Sequence, residues 1–538
     1  MKFTLLNKKA TFKTMFFIAV LLFTFQSCKK SDSDPSSGGK TTVNVKLSVG
    51  TPDEERLLVG NSKTTKRNTE SNVQLSTVEV SDGISMDVMV IKDAEPSVLK
   101  SSYSSSEAKA ATQTVTTSLE ADVKYRIAVY DDNGLHKGNY DYAFGNEGVT
   151  GGIQLDAGST YTFVVYSVNS KTNLPNISNQ GTLSTASLNN ISEDLMFFKK
   201  TMKLTPGDNN LNAVLVHQFS QITTTIEMDP SMTGSIESLT GTKISPTKSN
   251  GSLKFSNESL SFPNLNTSTN VTFPALIPGI RSITSEPTFI ISPSTTSATF
   301  AISSIKLDGE SKAISVPDIK ITPGHKYNLV LKFRSCTQNV TTSGLNWNYP
   351  EVSWDEWVWS QGLVTFKGIK KDNKYYKNNE VITNTFSAPE SDYGFVFDIT
   401  DLDNAFNMRV NNQYIFGTST NHQIQFQTNS RLGTERNIEF IDGTEYSLGG
   451  IAEVYNLQGT NAKPLIRIMI SRNGEVTMLG SKTSGGELMQ LRLKNNQSFK
   501  TVNWNKTGAN SVVVSQKVDG RTIIIGTGHG RKRIKCPK

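Results

Sequence analysis

Cysteine, histidine and tryptophan are scarce in this 538-residue sequence, and each scarcity removes a class of function. There are three cysteines, five histidines and five tryptophans. No Cys-x-x-Cys pair occurs, and His136, His217, His325, His422 and His529 stand in no paired ligand spacing. The usual zinc patterns, His-Glu-x-x-His included, are therefore absent. So is the Gly-x-Ser-x-Gly elbow that presents a nucleophilic serine. Beyond Cys28, no apolar run approaches the roughly 18 residues that a membrane-spanning helix needs. A strong charge of one sign is missing too. The formal charge is +7, but without the four leader lysines 51 basic residues face 48 acidic ones. The last eight residues, RKRIKCPK, carry five of those positive charges, so the body is slightly acidic. Such a body offers no basic face to nucleic acid. These absences point to a non-catalytic protein that uses no cofactor.

What is present begins at the amino terminus. Lys2, Lys8, Lys9 and Lys13 form a basic leader, followed by the apolar run Thr14 to Phe25. A helix of that length rises about 18 Å, too little for a hydrocarbon core of about 30 Å. The run fits the core of a secretory signal peptide, here residues 1–27. It ends in Phe25-Gln26-Ser27-Cys28. A small residue followed by cysteine resembles the lipobox of bacterial lipoproteins. Phe25 and Gln26 depart from its usual residues in a way that resembles the signals of Bacteroidetes-type bacteria. The resemblance implies that Cys28 is lipidated and becomes the first residue of the mature chain, tied to the outer membrane. Acyl chains anchor firmly because each buried CH₂ contributes about 0.8 kcal/mol. Residues 28–40 then read as a disordered polar tether.

From residue 41 onward the pattern is β. Thr41–Val49, Ile84–Ile91, Val123–Tyr130 and Tyr161–Val168 alternate polar and apolar residues between Gly, Asp and Asn turns. Such alternation predicts half-buried strands. A faint repeat aligns Ala157-Gly158-Ser159-Thr160-Tyr161 with Pro323-Gly324-His325-Lys326-Tyr327. Each copy places a glycine turn before a tyrosine-led strand. The repeat suggests two related sandwiches, residues 41–205 and 206–340.

Several patches together resemble the fimbrillin superfamily of Bacteroidetes fimbrial proteins. They are Tyr125–Asp131, Leu155–Phe163, Asp194–Phe198, Leu215–Ile222 and the turn Pro323–Tyr327. The resemblance covers about residues 40–340. It implies an all-β chain with tandem transthyretin-like Greek-key sandwiches, serving as a fimbrial anchor, shaft or tip subunit. In some relatives a protease cuts after an early arginine, and the freed groove takes a strand from the next subunit. Arg56 and Arg67 are placed for such a cut, or are two solvated arginines in a polar loop.

The resemblance stops near Cys336. Residues 341–362 form a tryptophan-rich connector with Trp347, Trp354, Trp357 and Trp359. These rings could stack on a sugar or pack at a domain junction. Residues 363–538 read as a third β-rich, jelly-roll-like domain, with a hairpin expected at Asp519-Gly520. The glycine-rich Gly526–Gly530 reads as a turn of the tail. Asp398, Asp401 and Asp403 are a weak calcium candidate or a solvated acidic loop. Cys336 and Cys536 could pair in an oxidising compartment or remain separate thiols.

The sequence thus points to a surface lipoprotein of fimbrial assembly or adhesion. Its partners would be a membrane, through the lipid, and other fimbrial subunits, through strand addition. A host or glycan ligand is compatible with this, nucleic acid is not. The alternative is an outer-membrane glycan-binding lipoprotein of a polysaccharide-uptake system. Labelled palmitate fed to cells should enter the wild-type protein, and Cys28→Ala should abolish the label.

Overall fold

The computed structural model describes residues 39–50, 72–92, 117–341 and 344–536. The leader, Cys28, Arg56, Arg67 and residues 93–116 lie outside the described residues. The described chain is almost wholly β, the class that its alternation and turn residues predict.

The first unit is built on a seven-stranded sheet. In spatial order its strands are His136–Ala143, Lys124–Asp131, Thr160–Ser167, Met196–Lys203, Asp208–His217, Lys40–Gly50 (β1) and Ile153–Asp156. Alternation predicts half-buried strands here, but Tyr161 to Ser167 is buried at every residue. One face packs Tyr125, Ile127, Phe163 and Leu211 into a core. The other face, with Tyr130, Val164, Tyr166 and Phe197, meets Leu188, Phe219, Leu253 and Phe255. A sheet covered on both sides needs apolar residues at odd and even positions alike.

Val73–Ser81 (β2) and Ile84–Lys92 (β3) depart from the expected boundaries. Sequence order puts them in the first unit. Instead β3 pairs along its whole length with Lys326–Ser335 of the second unit, and β2 lies outside it. Lys326–Ser335 also pairs, in parallel, with Ser220–Met228. This sheet faces another, made of Thr267–Asn270, Ile236–Thr247, Thr296–Leu307 and Glu310–Ile321. Met86, Val88, Phe300 and Phe333 fill the space between them. Gln74 of β2 closes one side by imitating a backbone amide: its Nε2 donates to the Lys320 carbonyl and its Oε1 accepts from the Lys320 N–H, both at 3.0 Å.

The glycine–tyrosine repeat has a local cause. Gly158 and Gly324 both sit at positive φ, where only glycine is free of steric cost. Three residues on, the buried Tyr161 and Tyr327 turn back. Their hydroxyls accept from the backbone N–H of Asp156 (3.4 Å) and Thr322 (2.8 Å), each five residues upstream.

The third unit packs two sheets around one core that includes Phe397, Phe406, Phe426, Ile468 and Val514. Its larger sheet centres on Phe395–Leu402, Ile466–Ile470 and Thr522–Arg533. The hairpin expected at Asp519-Gly520 does not form. Asn510–Lys517 pairs with Val381–Ala388 and Ala405–Val410 in the other sheet, so both its edges are taken. The turn therefore passes the chain from one sheet to the other. Gly526–Gly530 is likewise no turn, but the middle of Thr522–Arg533. A Cβ on Gly526 would stand 2.9 Å from the Phe397 ring and the Asp398 carbonyl, so the glycine permits close packing.

Thr522–Arg533 also brings the chain back to its own connector. Leu345–Tyr349 pairs with Thr522–Gly526, and Thr337–Thr341 with His529–Arg533. The stretch 341–362 is therefore not a separate linker: its first half is a strand of the third unit. Beyond this ladder Cys336 and Cys536 form a disulfide, with Cα atoms 5.1 Å apart. The Cys336 N–H donates to the Gly83 carbonyl of the β2–β3 turn, so three distant segments meet there.

The bond spans 200 residues. Closing so long a loop restricts the unfolded chain, and Cys336→Ser should cost about 2–5 kcal/mol. Urea unfolding followed by tryptophan fluorescence should show an earlier transition for the variant, and reductant should produce the same shift in the wild type.

Candidate functional site

β1 is the element whose geometry bears most directly on assembly. It lies inside the first sheet rather than at its edge. Thr42 to Gly50 run parallel to Asp208 to Val216, and Lys40 to Val43 run antiparallel to Asp156 to Ile153. Val43 is fully buried and Val49 nearly so, with Val45 and Leu47 packed against the same core. At the start of the strand Asn209 Nδ2 donates to Thr41 Oγ1 (2.9 Å), and Thr41 Oγ1 donates to the Thr205 carbonyl (2.9 Å). Lys40 pairs with Asp156 at 2.9 Å. A Cβ on Gly152 would collide with the Thr42 side chain, so the neighbouring turn is shaped around β1.

Withdrawing β1 would therefore leave a slot with unpaired backbone groups on both walls and a stripe of uncovered apolar residues. Another strand of matching pattern could fill it.

The four connector tryptophans do not form one surface. Trp347 is buried in the third unit's core. Trp354 stacks on Tyr375, ring centres 4.6 Å apart and planes 25° from parallel, so its face is occupied. Trp357 and Trp359 are free, 71% and 96% exposed.

The three aspartates do not converge either. Asp398 is held by Arg467 through two hydrogen bonds of 2.7 and 2.8 Å. Asp401 accepts from its neighbour Thr400. Burial raises Asp403 to about 7, with the nearby Asp519 charge adding to the rise. Among the described residues no group of three acidic, histidine or cysteine side chains could hold a metal ion.

A polar junction between the second and third units escaped the sequence reading. Arg281 is buried and donates to the carbonyls of Asp229 (3.0 Å), Met232 (2.8 Å) and Gly234. Arg467 reaches Pro230 O at 3.1 Å, and Arg531 reaches Ser231 O at 3.0 Å. Glu310 receives Arg472 and Arg533. Gln490 accepts from the Arg281 N–H (3.0 Å) and donates to the Gly279 carbonyl (2.6 Å). The basic tail is thus partly spent inside the molecule. Charged residues far apart in sequence carry no local signal of such a meeting.

No family model matches the chain, and no curated protein matches it. Among solved structures, it is similar to a candidate cell adhesion protein of Bacteroides fragilis (13% identity, 62% of this chain and 99% of that one, TM-score 0.29). It is similar as well to the fimbrial anchor protein Mfa2 of Porphyromonas gingivalis (12% identity, 41% and 89%, TM-score 0.27). A third is a fimbrial assembly protein of Parabacteroides distasonis (13% identity, 48% and 91%, TM-score 0.24).

The junction carries a pH signature. Burial raises Asp308 to about 7, with repulsion from Glu475 reinforcing it against Thr233 and the arginines, and burial also raises Glu475. A carboxyl whose folded pKa lies above its unfolded value near 4 binds more protons when folded. The stability it contributes is therefore full below about pH 4 and is lost as pH rises to about 7. Asp308→Asn should remove about 2–4 kcal/mol of that pH dependence. Urea midpoints measured from pH 4 to pH 8 would show a flatter profile for the variant than for the wild type.

Proposed function

We propose that this chain is a non-catalytic, lipid-anchored surface protein that works in fimbrial assembly or adhesion. The observation that carries the reading is the position of β1 between two partner strands. The strand begins just after the polar tether and ends just before the segment holding Arg56 and Arg67. A cut in that segment would separate β1 from the rest of the chain, leaving only noncovalent contacts to hold it.

The exchange is energetically reasonable. Each fully buried valine or leucine is worth about 1.5–3 kcal/mol, so an empty slot is costly and an incoming strand of like pattern recovers the loss. The partner would be another fimbrial subunit that supplies the strand. Cys28 would hold the uncut or terminal subunit at the outer membrane. A second reading, a glycan-binding lipoprotein, draws on the exposure of Trp357 and Trp359. It is weakened by Trp347 and Trp354, whose rings are already covered.

Arginine-specific proteolysis of the purified protein tests the main reading. The expected result is a new amino terminus after Arg56 or Arg67, followed by a ladder that resists detergent without heating. Arg56→Ala with Arg67→Ala should leave a monomer. Cleavage at these arginines that never yields a ladder would remove the polymerising role. Surface proteolysis of intact cells that spares the protein would remove the surface role altogether.

A further inference from the structure

The second unit leaves a seam open between its two sheets. Along one side runs Thr267–Asn270, which among the described residues pairs only with Ile236–Thr247. Along the other run Ser282–Thr284 and Thr288–Ile290, both paired with Ser220–Met228. Each side turns an edge without a partner strand toward the other. The second edge is broken between its two short strands. Ser285 answers Thr224 with its side chain, Oγ accepting from the Thr224 N–H (2.9 Å), and Pro287 has no N–H to give. The Glu286 N–H crosses the seam to the Thr272 carbonyl, and the Lys248 N–H closes its other end at the Ile291 carbonyl, both at 2.8 Å. Between these two bonds, about 16 Å apart along the strand, lies a groove of about 580 Å³.

The groove is polar down to its floor. Thr269 lies opposite the core residue Ile244, so Thr267 and Thr269 face inward. Thr269 Oγ1 donates to the buried Thr247 Oγ1 (3.0 Å), and Thr267 Oγ1 is 3.1 Å from the same oxygen. The rim carries the exposed Ser268, Asn270 and Thr272 and the half-buried Phe289. Phe289 alternates with the buried Thr288 and Ile290, so its ring is on the outer face. Lys248 and Glu286 are the charged residues of the lining, one of each sign. Lys248 Nζ donates to the Asn264 carbonyl at 3.0 Å.

From this arrangement we infer that the groove binds a neutral carbohydrate, the end of a glycan chain. Three features select that class. A lining without net charge gives little hold on a phosphate, a nucleotide or an anionic head group. A floor of hydroxyls disfavours an acyl chain, which would leave those groups dry and unmatched. The bonds at both ends bar a peptide strand, since one paired along either edge would have to break them. A pyranose suits what remains. Its hydroxyls donate and accept, as the serine, threonine and asparagine side chains do. Its C–H face can lie on an aromatic ring, whose own face is electron-rich. The volume falls within the usual range of ligand clefts, about 300–1,000 Å³.

The groove uses no residue of β1, so it is independent of strand exchange. It gives the adhesive side of the proposed role a ligand class, and rests on that reading only for where the glycan is met. Binding by the purified protein reads the groove, whereas the proteolytic ladder reads assembly, and either can fail alone.

The test uses the processed chain carrying Cys28→Ala, which lacks both leader and lipid. It is applied to an array of oligosaccharides ending in mannose, galactose or N-acetylglucosamine, with sialylated and sulfated counterparts. The expected result is binding to at least one neutral oligosaccharide, then measured by titration calorimetry. Asn270→Ala with Thr272→Ala should weaken it about tenfold, as two lost hydrogen bonds require. Both side chains are exposed, so the fold is kept, and an unchanged urea midpoint checks this. Ser268→Arg, which crowds the mouth, should abolish binding. Trp357 and Trp359 supply the control. They stand at the tip of a three-stranded ribbon, Val352–Val358, Gly362–Lys371 and Lys374–Lys377, whose root packs on the third unit through Ile369. Trp357→Ser with Trp359→Ser should leave the binding unchanged. No binding to any neutral oligosaccharide, tighter binding to the charged counterparts, or binding that the groove variants leave unchanged would overturn the inference. Binding lost only with the tryptophan variant would assign the glycan to the ribbon and overturn it equally.

Discussion

The pairing of Thr522–Arg533 with Thr337–Thr341 and Leu345–Tyr349 is the constraint on which the arrangement of the second and third units depends. A strand at the end of the chain lies alongside the segment that opens the third unit, so that unit cannot close until its last residues are in place. The ladder delivers Cys536 to Cys336 and Arg531 and Arg533 to the second unit. Without it the disulfide would have no partner in reach, and the carbonyls of the 229–234 loop would lose one of their donors. Closing so long a segment costs conformational entropy, and only contacts at both ends of the ladder can offset it.

The same logic of distant pairing runs through the amino-terminal half. β1 is held by strands more than a hundred residues later, and β3 by a strand more than two hundred residues later. The chain therefore crosses from the first unit to the second and back before either is complete. The first sheet is buried on both faces because part of the second unit's early sequence roofs it. The two units are consequently less separable than two tandem domains joined by a linker. The interior position of β1 follows from this threading: it enters first, yet its neighbours along the sheet come from 153–156 and 208–217.

The polar junction and the ribbon show two ways of treating surface at the far end. At the junction, arginines answer backbone carbonyls and carboxylates, which is how charged groups survive burial. On the ribbon, aromatic groups near the root cover one another, as Trp354 and Tyr375 do, while the tip is left bare. Exposed tryptophans at one end of a narrow element are unusual for a surface otherwise rich in serine, threonine and asparagine.

Local pattern was enough to establish the β class, the four clearest alternating strands and the Gly158–Tyr161 and Gly324–Tyr327 turns. Alternation and turn chemistry act over a few residues, and each is written directly in the sequence. The alternating segments Thr41–Val49, Ile84–Ile91, Val123–Tyr130 and Tyr161–Val168 are strands within a residue of those limits. The absence of paired ligand spacings could also be read directly. Tertiary structure alone decided which strands are neighbours. It moved β2 and β3 to the second unit, turned Gly526–Gly530 from a tail turn into a strand, and divided the four tryptophans between core and surface. It also created the Arg281 junction, to which residues up to three hundred positions apart contribute. Strand pairing joins residues by backbone hydrogen bonds that are alike at every position, so the partner is chosen by burial and by which edges remain free. Neither quantity exists until the whole chain has folded.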